Sequence, residues 1–244
     1  MSCRNQKTMR VVFTFAIAVL LGAVPAVSQN GVFVSVRAPR AVPLNTNPAL
    51  SFWQDAIPVF LETSALGEPH PRYKTEVRSR WTPAYLYFLF VCPYDVLYLR
   101  PNPRTASETY ALWNWDVAEV FLGSDFANIR RYREFEISPQ GEWIDLDIDL
   151  ARPHHEDGWV WNSGFNVAAR VDPIDKIWYG AMRIPFASIG SRAPAPNETF
   201  RINLFRTEGP PSQRIDVVWQ PTLSHTFHVP EKFGLLRLSS RANR

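Results

Sequence analysis

Behind an apolar N-terminal run, the chain alternates short apolar or period-two segments with clusters of Pro, Asn, Asp and Gly. Few stretches hold a 3.6-residue period, so the pattern predicts strands rather than helices. Ten candidates stand out, at residues 32–36, 85–91, 117–122, 132–137, 143–150, 165–171, 177–184, 200–205, 217–219 and 235–238. The clearest is 143–150, where Ile144, Leu146, Ile148 and Leu150 share one face and Asp145, Asp147 and Asp149 the other. Its apolar face needs a second layer. Many short strands, Pro-rich loops at 39–48, 101–103 and 194–196, and no helical stretches between strands favour a sandwich over a βαβ arrangement.

The first 28 residues read as an export signal. Arg4, Lys7 and Arg10 precede an apolar core from Val11 to Val24, and Ala26-Val27-Ser28 offers the small residues that a signal peptidase accepts. The core is shorter than the roughly 20 residues of a membrane-spanning helix. Removing residues 1–28 from the 244 leaves 216, the size of one large all-β domain at 29–244. The expected product is secreted or periplasmic, with no membrane association after cleavage.

Charge then changes its meaning. The segment holds three of the 26 Lys and Arg and none of the 23 Asp and Glu, so the remainder carries 23 of each sign. The basic balance of the whole chain gives no support to a nucleic-acid partner, and Arg237, Arg241 and Arg244 read as a solvated tail. Cys3 lies in the signal. Cys92 closes an apolar run and reads as a buried, inert thiol.

Nine Trp residues follow the signal, at 53, 81, 113, 115, 143, 159, 161, 178 and 219. Sugars present flat C–H patches rimmed by hydroxyls, so their sites pair an aromatic ring with carboxylates, amides and Arg. For any one Trp, burial explains it as well. The densest constellation is Trp113-Asn114-Trp115-Asp116-Val117-Ala118-Glu119-Val120-Phe121. In a strand, Val117, Glu119 and Phe121 share a face, so Glu119 needs a partner: Arg133, a metal ion or a ligand hydroxyl. A structural ion pair would account for it equally.

The order Trp-x-x-Asp-x-x-Glu-Val-Phe at Trp113, Asp116 and Glu119, followed by residues 132–141, resembles the centre of family 9 carbohydrate-binding modules. Flanking pieces fall in the same order: Trp53, Trp81 before Tyr85, Ile184-Pro185-Phe186, residues 201–206, and Trp219-Gln220-Pro221 ahead of Phe233-Gly234. The resemblance spans roughly residues 45–238. It implies an all-β, antiparallel β-sandwich of jelly-roll type, stabilised by a structural calcium ion, that grips ends of glucan or xylan chains between two Trp rings. Trp113 then matches the first ring, Asp116 and Glu119 match carboxylates that bond sugar hydroxyls, and Arg133 matches an Arg that does likewise. The departure lies at the second ring, where Phe227 and His228 stand in place of a Trp. Polysaccharide or oligosaccharide is the implied partner.

Three other readings stay open. Related DOMON-type sandwiches hold b-type haem, for which Met182 opposite His225 or His228 would serve. An enzyme would use Glu134 and Glu136, which point the same way about 7 Å apart by strand rise, but no nucleophile or phosphate-loop motif accompanies them and the reading is non-catalytic. A third possibility is docking onto another exported protein without sugar binding. For metals, Asp145, Asp147 and Asp149 are too far apart to clasp one calcium without loop help. The adjacent His154 and His155, with Glu156 and Asp157, read as a solvated loop.

Overall fold

The computed structural model describes residues 31–152, 159–190 and 193–240. The N-terminal segment read as a signal, residues 154–157, and Arg241 and Arg244 lie outside the described residues. Among the described residues there are twelve strands: β1 (Val32–Arg37), β2 (Val59–Leu61), β3 (Thr75–Trp81), β4 (Tyr85–Pro93), β5 (Val117–Gly123), β6 (Arg131–Ile137), β7 (Trp143–Asp149), β8 (Asn166–Asp172), β9 (Ile177–Pro185), β10 (Thr199–Glu208), β11 (Ile215–Val218) and β12 (Gly234–Ser239). The four-residue helices α1 (Ser51–Gln54) and α2 (Phe186–Ile189) and short 3-10 turns punctuate the described strands. None of the described helices is long and apolar enough to cross a membrane.

The strands form one hydrogen-bonded sheet in the order β7-β6-β5-β10-β12-β1-β3-β4-β9-β8, with β11 added to β10 and β2 to β3. The sheet folds over into a β-sandwich. Its β7-β6-β5-β10 part lies over β3-β4-β9-β8, and β12 and β1 form the bend. Pairing is antiparallel throughout except at β1, which runs parallel to both β12 and β3. An N-terminal strand that closes the gap between two layers is free of the hairpin constraint that forces its neighbours antiparallel.

Period-two alternation explains the packing. Ala118, Val120 and Leu122 of β5, Phe135 and Ile137 of β6, and Ile202 and Leu204 of β10 meet Leu86, Phe88 and Phe90 of β4 and Met182 and Ile184 of β9 in the core between layers. Gly180 shows how close the layers come: a Cβ there would lie 3.1 Å from Ile137 Cγ2 and 2.9 Å from the Trp178 ring. Cys92 is fully buried in this core, and burial pushes its thiol up to about 12.

Two strands escape the apolar pattern. β3 reads Thr-Glu-Val-Arg-Ser-Arg-Trp, too charged for a buried strand, yet it sits inside the sheet. Its polar groups are consumed by neighbours. Ser79 Oγ donates to Ser35 Oγ at 2.8 Å, and the Arg80 guanidinium donates to the carbonyls of Val36, Phe52 and Arg37. β2 spans only three residues, below the length at which alternation becomes a signal.

Each layer also has an outer face. On the second layer, Trp53, Tyr87, Leu89 and Ala181 are buried, with Val42, Leu44 and Phe52 packed on them. On the first, Val117, Phe121, Tyr132, Ile144, Leu146, Ile148 and Phe205 form another apolar cluster with Leu112, Trp159 and Phe233.

Candidate functional site

The outer face of the first layer carries charge where its neighbours are apolar. Alternation puts Glu119 between Val117 and Phe121 on β5, and puts Glu134 and Glu136 after Tyr132 on β6. Register then gathers them: Glu119 lies opposite Glu136 and Phe121 opposite Glu134, while Phe205 of β10 flanks Glu119 on the other side. One carboxylate oxygen from each of the three lies within 4.8 Å of the others. All three are buried, Glu136 completely. Neither Glu136 oxygen has a hydrogen-bond partner, nor does Oε2 of Glu134.

Above Glu119 and Glu134 opens a cavity of about 320 Å³. Trp113, Trp159, Phe121 and Phe227 line it, with Thr207, Arg214, Asp216, His225 and His228 among the polar groups. Apolar rings with a few convergent polar groups are the usual make-up of a small-ligand site.

Loops place the rings. Trp113 sits in a 3-10 turn, Leu112–Asn114, entered through Ala111 in the left-handed region at φ 59°. The Arg214 guanidinium holds that turn by donating to the carbonyls of Trp113, Asn114 (2.9 Å) and Trp115 (2.8 Å), and to Gly209 at 3.0 Å. Tyr110 meets Trp113 edge-on at 5.4 Å. On the opposite wall Phe227 lies flat on Phe205, centroids 4.3 Å apart and 10° between planes. His228 stacks on Phe121 and shares a 2.6 Å hydrogen bond between its Nδ1 and the Tyr132 hydroxyl. Trp159 Nε1 donates to the Asp149 carbonyl at 3.1 Å.

Electrostatics follow from the burial. Burial first, then the charges of Glu134 and Asp216, raises Glu119 well above the usual carboxylate range. Burial first, then Glu119 and Glu134, does the same to Glu136. Burial pushes Glu134 up to about 7, against a smaller opposite pull from Glu136, and it raises Asp216 as well.

Of the six residues singled out in the sequence, four border one cavity: Trp113, Glu119, Phe227 and His228. Asp116 and Arg133 lie elsewhere. Asp116 is 1% exposed, and its two oxygens accept from the Tyr98 amide at 2.8 Å and the Gly209 amide at 2.7 Å, tying two loops to the end of β10. Arg133 pairs in register with Leu122, so alternation turns it away from Glu119 toward the other face. There it binds Asp147 and lies 4.5 Å over the Trp161 ring.

Arg214, Asp216, Thr207 and Trp159 were not legible as site residues. Arg214 and Asp216 come from β11 and the turn before it, some hundred positions along the chain from Trp113, and only the β10–β11 pairing brings them close. Trp159 offered a signal, being one of nine Trp, but nothing in its neighbours separated it from core. Trp53, Trp81 and Trp178 are indeed core.

The acidic row of β7 is largely taken up by the protein's own groups, with Oδ1 of the buried Asp145 left without a partner. Asp147 pairs with Arg133 and Arg131, Asp149 with Arg131 and Arg152, and Asp145 accepts from Ser163. Nor does the structure bring the haem ligands together: Met182 is buried between the layers, whereas His225 and His228 lie on the outer face.

No family model matches the chain, and no curated protein matches it in sequence. Solved structures match its fold. A family 9 carbohydrate-binding module from Caldicellulosiruptor kristjanssonii in complex with cellotriose is 14% identical, with TM-score 0.60 over 87% of this chain and 96% of that one. The same organism's module in complex with glucose gives 0.61 over 88% and 98%. A candidate carbohydrate-binding protein from Bacteroides uniformis, also 14% identical, gives 0.68 over 85% of this chain and 99% of the other. The chain therefore has the sandwich fold of family 9 carbohydrate-binding modules over most of its length.

Proposed function

We propose that this chain is an exported, non-catalytic carbohydrate-binding protein, whose outer-face cavity takes a chain end or short oligosaccharide of the glucan or xylan type. The observation that carries this reading is the cavity itself. Trp113, Trp159 and Phe227 offer apolar faces for the C–H patches of a pyranose, and Glu119, Glu134, Thr207 and Asp216 below and beside them offer acceptors and donors for its hydroxyls. Its volume of about 320 Å³ is that of a site for one or two sugar rings rather than for a long chain laid flat. The fold-mates crystallised with cellotriose and glucose support the same class of ligand.

Trp113 is the stacking ring in this reading, because it is half-buried at the rim while Trp159 is buried beneath. The test is a glycan array with the chain from residue 29 onward, followed by calorimetric titration of each hit. Trp113→Ala should weaken binding by about tenfold or more, as loss of a central aromatic anchor does. Binding that survives Trp113→Ala unchanged would move the ligand off this ring. Absence of any hit would overturn the sugar reading. Release of reducing ends by the native chain, abolished in Glu134→Gln, would overturn the non-catalytic part.

A further inference from the structure

We infer that Glu119, Glu134 and Glu136 form a binding site for a hard divalent cation of the calcium type at the floor of the cavity. This rests on the cavity being a ligand site but not on which sugar it takes.

Three carboxylates facing one another in a buried space are stable only with protons or a cation among them. Among the described residues none of the three is held by an ion pair, and Arg214, which lines the same cavity, is committed to four backbone carbonyls. Glu136 is the independent pointer. It is 0% exposed, both its oxygens lack partners, and it is aimed at the oxygens of Glu119 and Glu134. Arg80, equally buried on β3, is by contrast satisfied by the carbonyls of Val36, Phe52 and Arg37.

Ligand chemistry selects the ion. Magnesium keeps several of its waters and is held by one or two carboxylates, whereas calcium takes cages of many carboxylate oxygens. Here three carboxylates each bring an oxygen to within 4.8 Å of the others. An all-carboxylate set is hard and excludes the softer metals that seek thiolate or imidazole. Three carboxylates supply up to six of the six to eight oxygens that calcium takes. Glu119 and Glu134 also line the open cavity, so the remaining positions face the space where ligand hydroxyls would come.

The test uses the whole chain, dialysed against chelator and titrated with calcium chloride by calorimetry, in parallel with thermal melts. Saturable calcium binding and a raised melting temperature are expected. Glu136→Gln keeps the shape and removes a buried charge, so it should melt at or above the native temperature in chelator. Its calcium affinity should fall roughly 100-fold, the upper end of the loss caused by removing even a supporting group of a metal site. Terbium luminescence sensitised by Trp113 and Trp159 gives a second readout, which Glu136→Gln should abolish. No calcium binding by the folded native chain, or equal binding by Glu136→Gln, would overturn the inference. Sugar binding that persists in chelator alongside absent calcium binding would sink this site and leave the sugar reading standing. Calcium binding without any glycan hit would do the reverse.

Discussion

The two outer faces of the sandwich bury charge in opposite ways. On the second layer, Arg80 of β3 is 2% exposed, and its guanidinium finds three carbonyls and Asp55 within reach. The segment that runs over this face, including α1, supplies those groups while packing Trp53 and Phe52 beside them. On the first layer, Glu136 is as deeply buried, in the middle of a strand pair, and nothing donates to it. Both are charges placed by period-two alternation on faces otherwise apolar. One is closed by its own chain and the other is left open beneath a cavity. Satisfied buried charge marks architecture, because each partner is part of the fold; unsatisfied buried charge marks a place where the fold pays a cost that something outside it offsets.

The comparison breaks if the two charges respond alike to neutralisation. Arg80→Met strands the carbonyls of Val36, Phe52 and Arg37, and should lower unfolding stability by about 3 kcal/mol in a urea titration. Glu136→Gln, measured in chelator, should raise it by about 1 kcal/mol, since a carboxyl crowded by two others gives way to an amide of the same volume that never ionises. Equal losses in both variants would mean that Glu136 is as structural as Arg80.

A smaller effect sharpens the contrast between the strands of the open face and the loops above it. Arg214 touches the ligand space but spends its donors on the turn that carries Trp113. It is a positioning residue. Arg214→Met should weaken glycan binding by about fivefold, roughly 1 kcal/mol at 1.4 kcal/mol per tenfold, with the loss falling on ligands that stack on Trp113. A direct sugar contact predicts more. The two are separated by combining Arg214→Met with Trp113→Ala. If Arg214 acts through the ring, the double variant binds no more weakly than Trp113→Ala alone.

The same contrast explains what could be read from the chain. Alternation grouped Glu119 with Val117 and Phe121, Glu134 with Glu136, and Ile144 with Leu146, Ile148 and Leu150; the structure keeps each grouping, and strand pairing turns all three to one face. The apolar core strands were equally plain. β3 was not, because a strand whose polar groups are all consumed internally looks, residue by residue, like an exposed loop. Arg133 was matched to a sugar-binding Arg by resemblance, although it stands one position from Glu134 and so must face the other way. Asp116 carried a carboxylate in the matching position, but two backbone amides claim it. The convergence of Glu136 with Glu119 depends on register between strands, which no single segment encodes. Arg214 depends on β11 returning alongside β10, a pairing set by the whole topology.

The smallest expected effect, because solvent screens a carboxyl that is only partly buried, lies with Glu108, which tests whether crowding of acids away from the cavity behaves differently. Glu108 lies beside Asp145, whose side chain is on the β7 face away from Leu146 and already accepts from Ser163 at 2.7 Å. Burial first, and Asp145 second, push Glu108 from its ordinary 4.5 up to about 7. A carboxyl raised in the folded state favours folding in its protonated form, so its contribution is complete below about 4.5 and fades as pH rises through about 7. Melting temperature followed from pH 4.5 to 8, with chelator present, should therefore fall more steeply in the native chain than in Glu108→Gln, whose amide keeps the contact without the proton. No calcium should restore it, because Asp145 and Glu108 lie apart from the three facing glutamates. Parallel curves would show that Glu108 is free to ionise, and would confine crowded acid on this layer to the floor of the cavity.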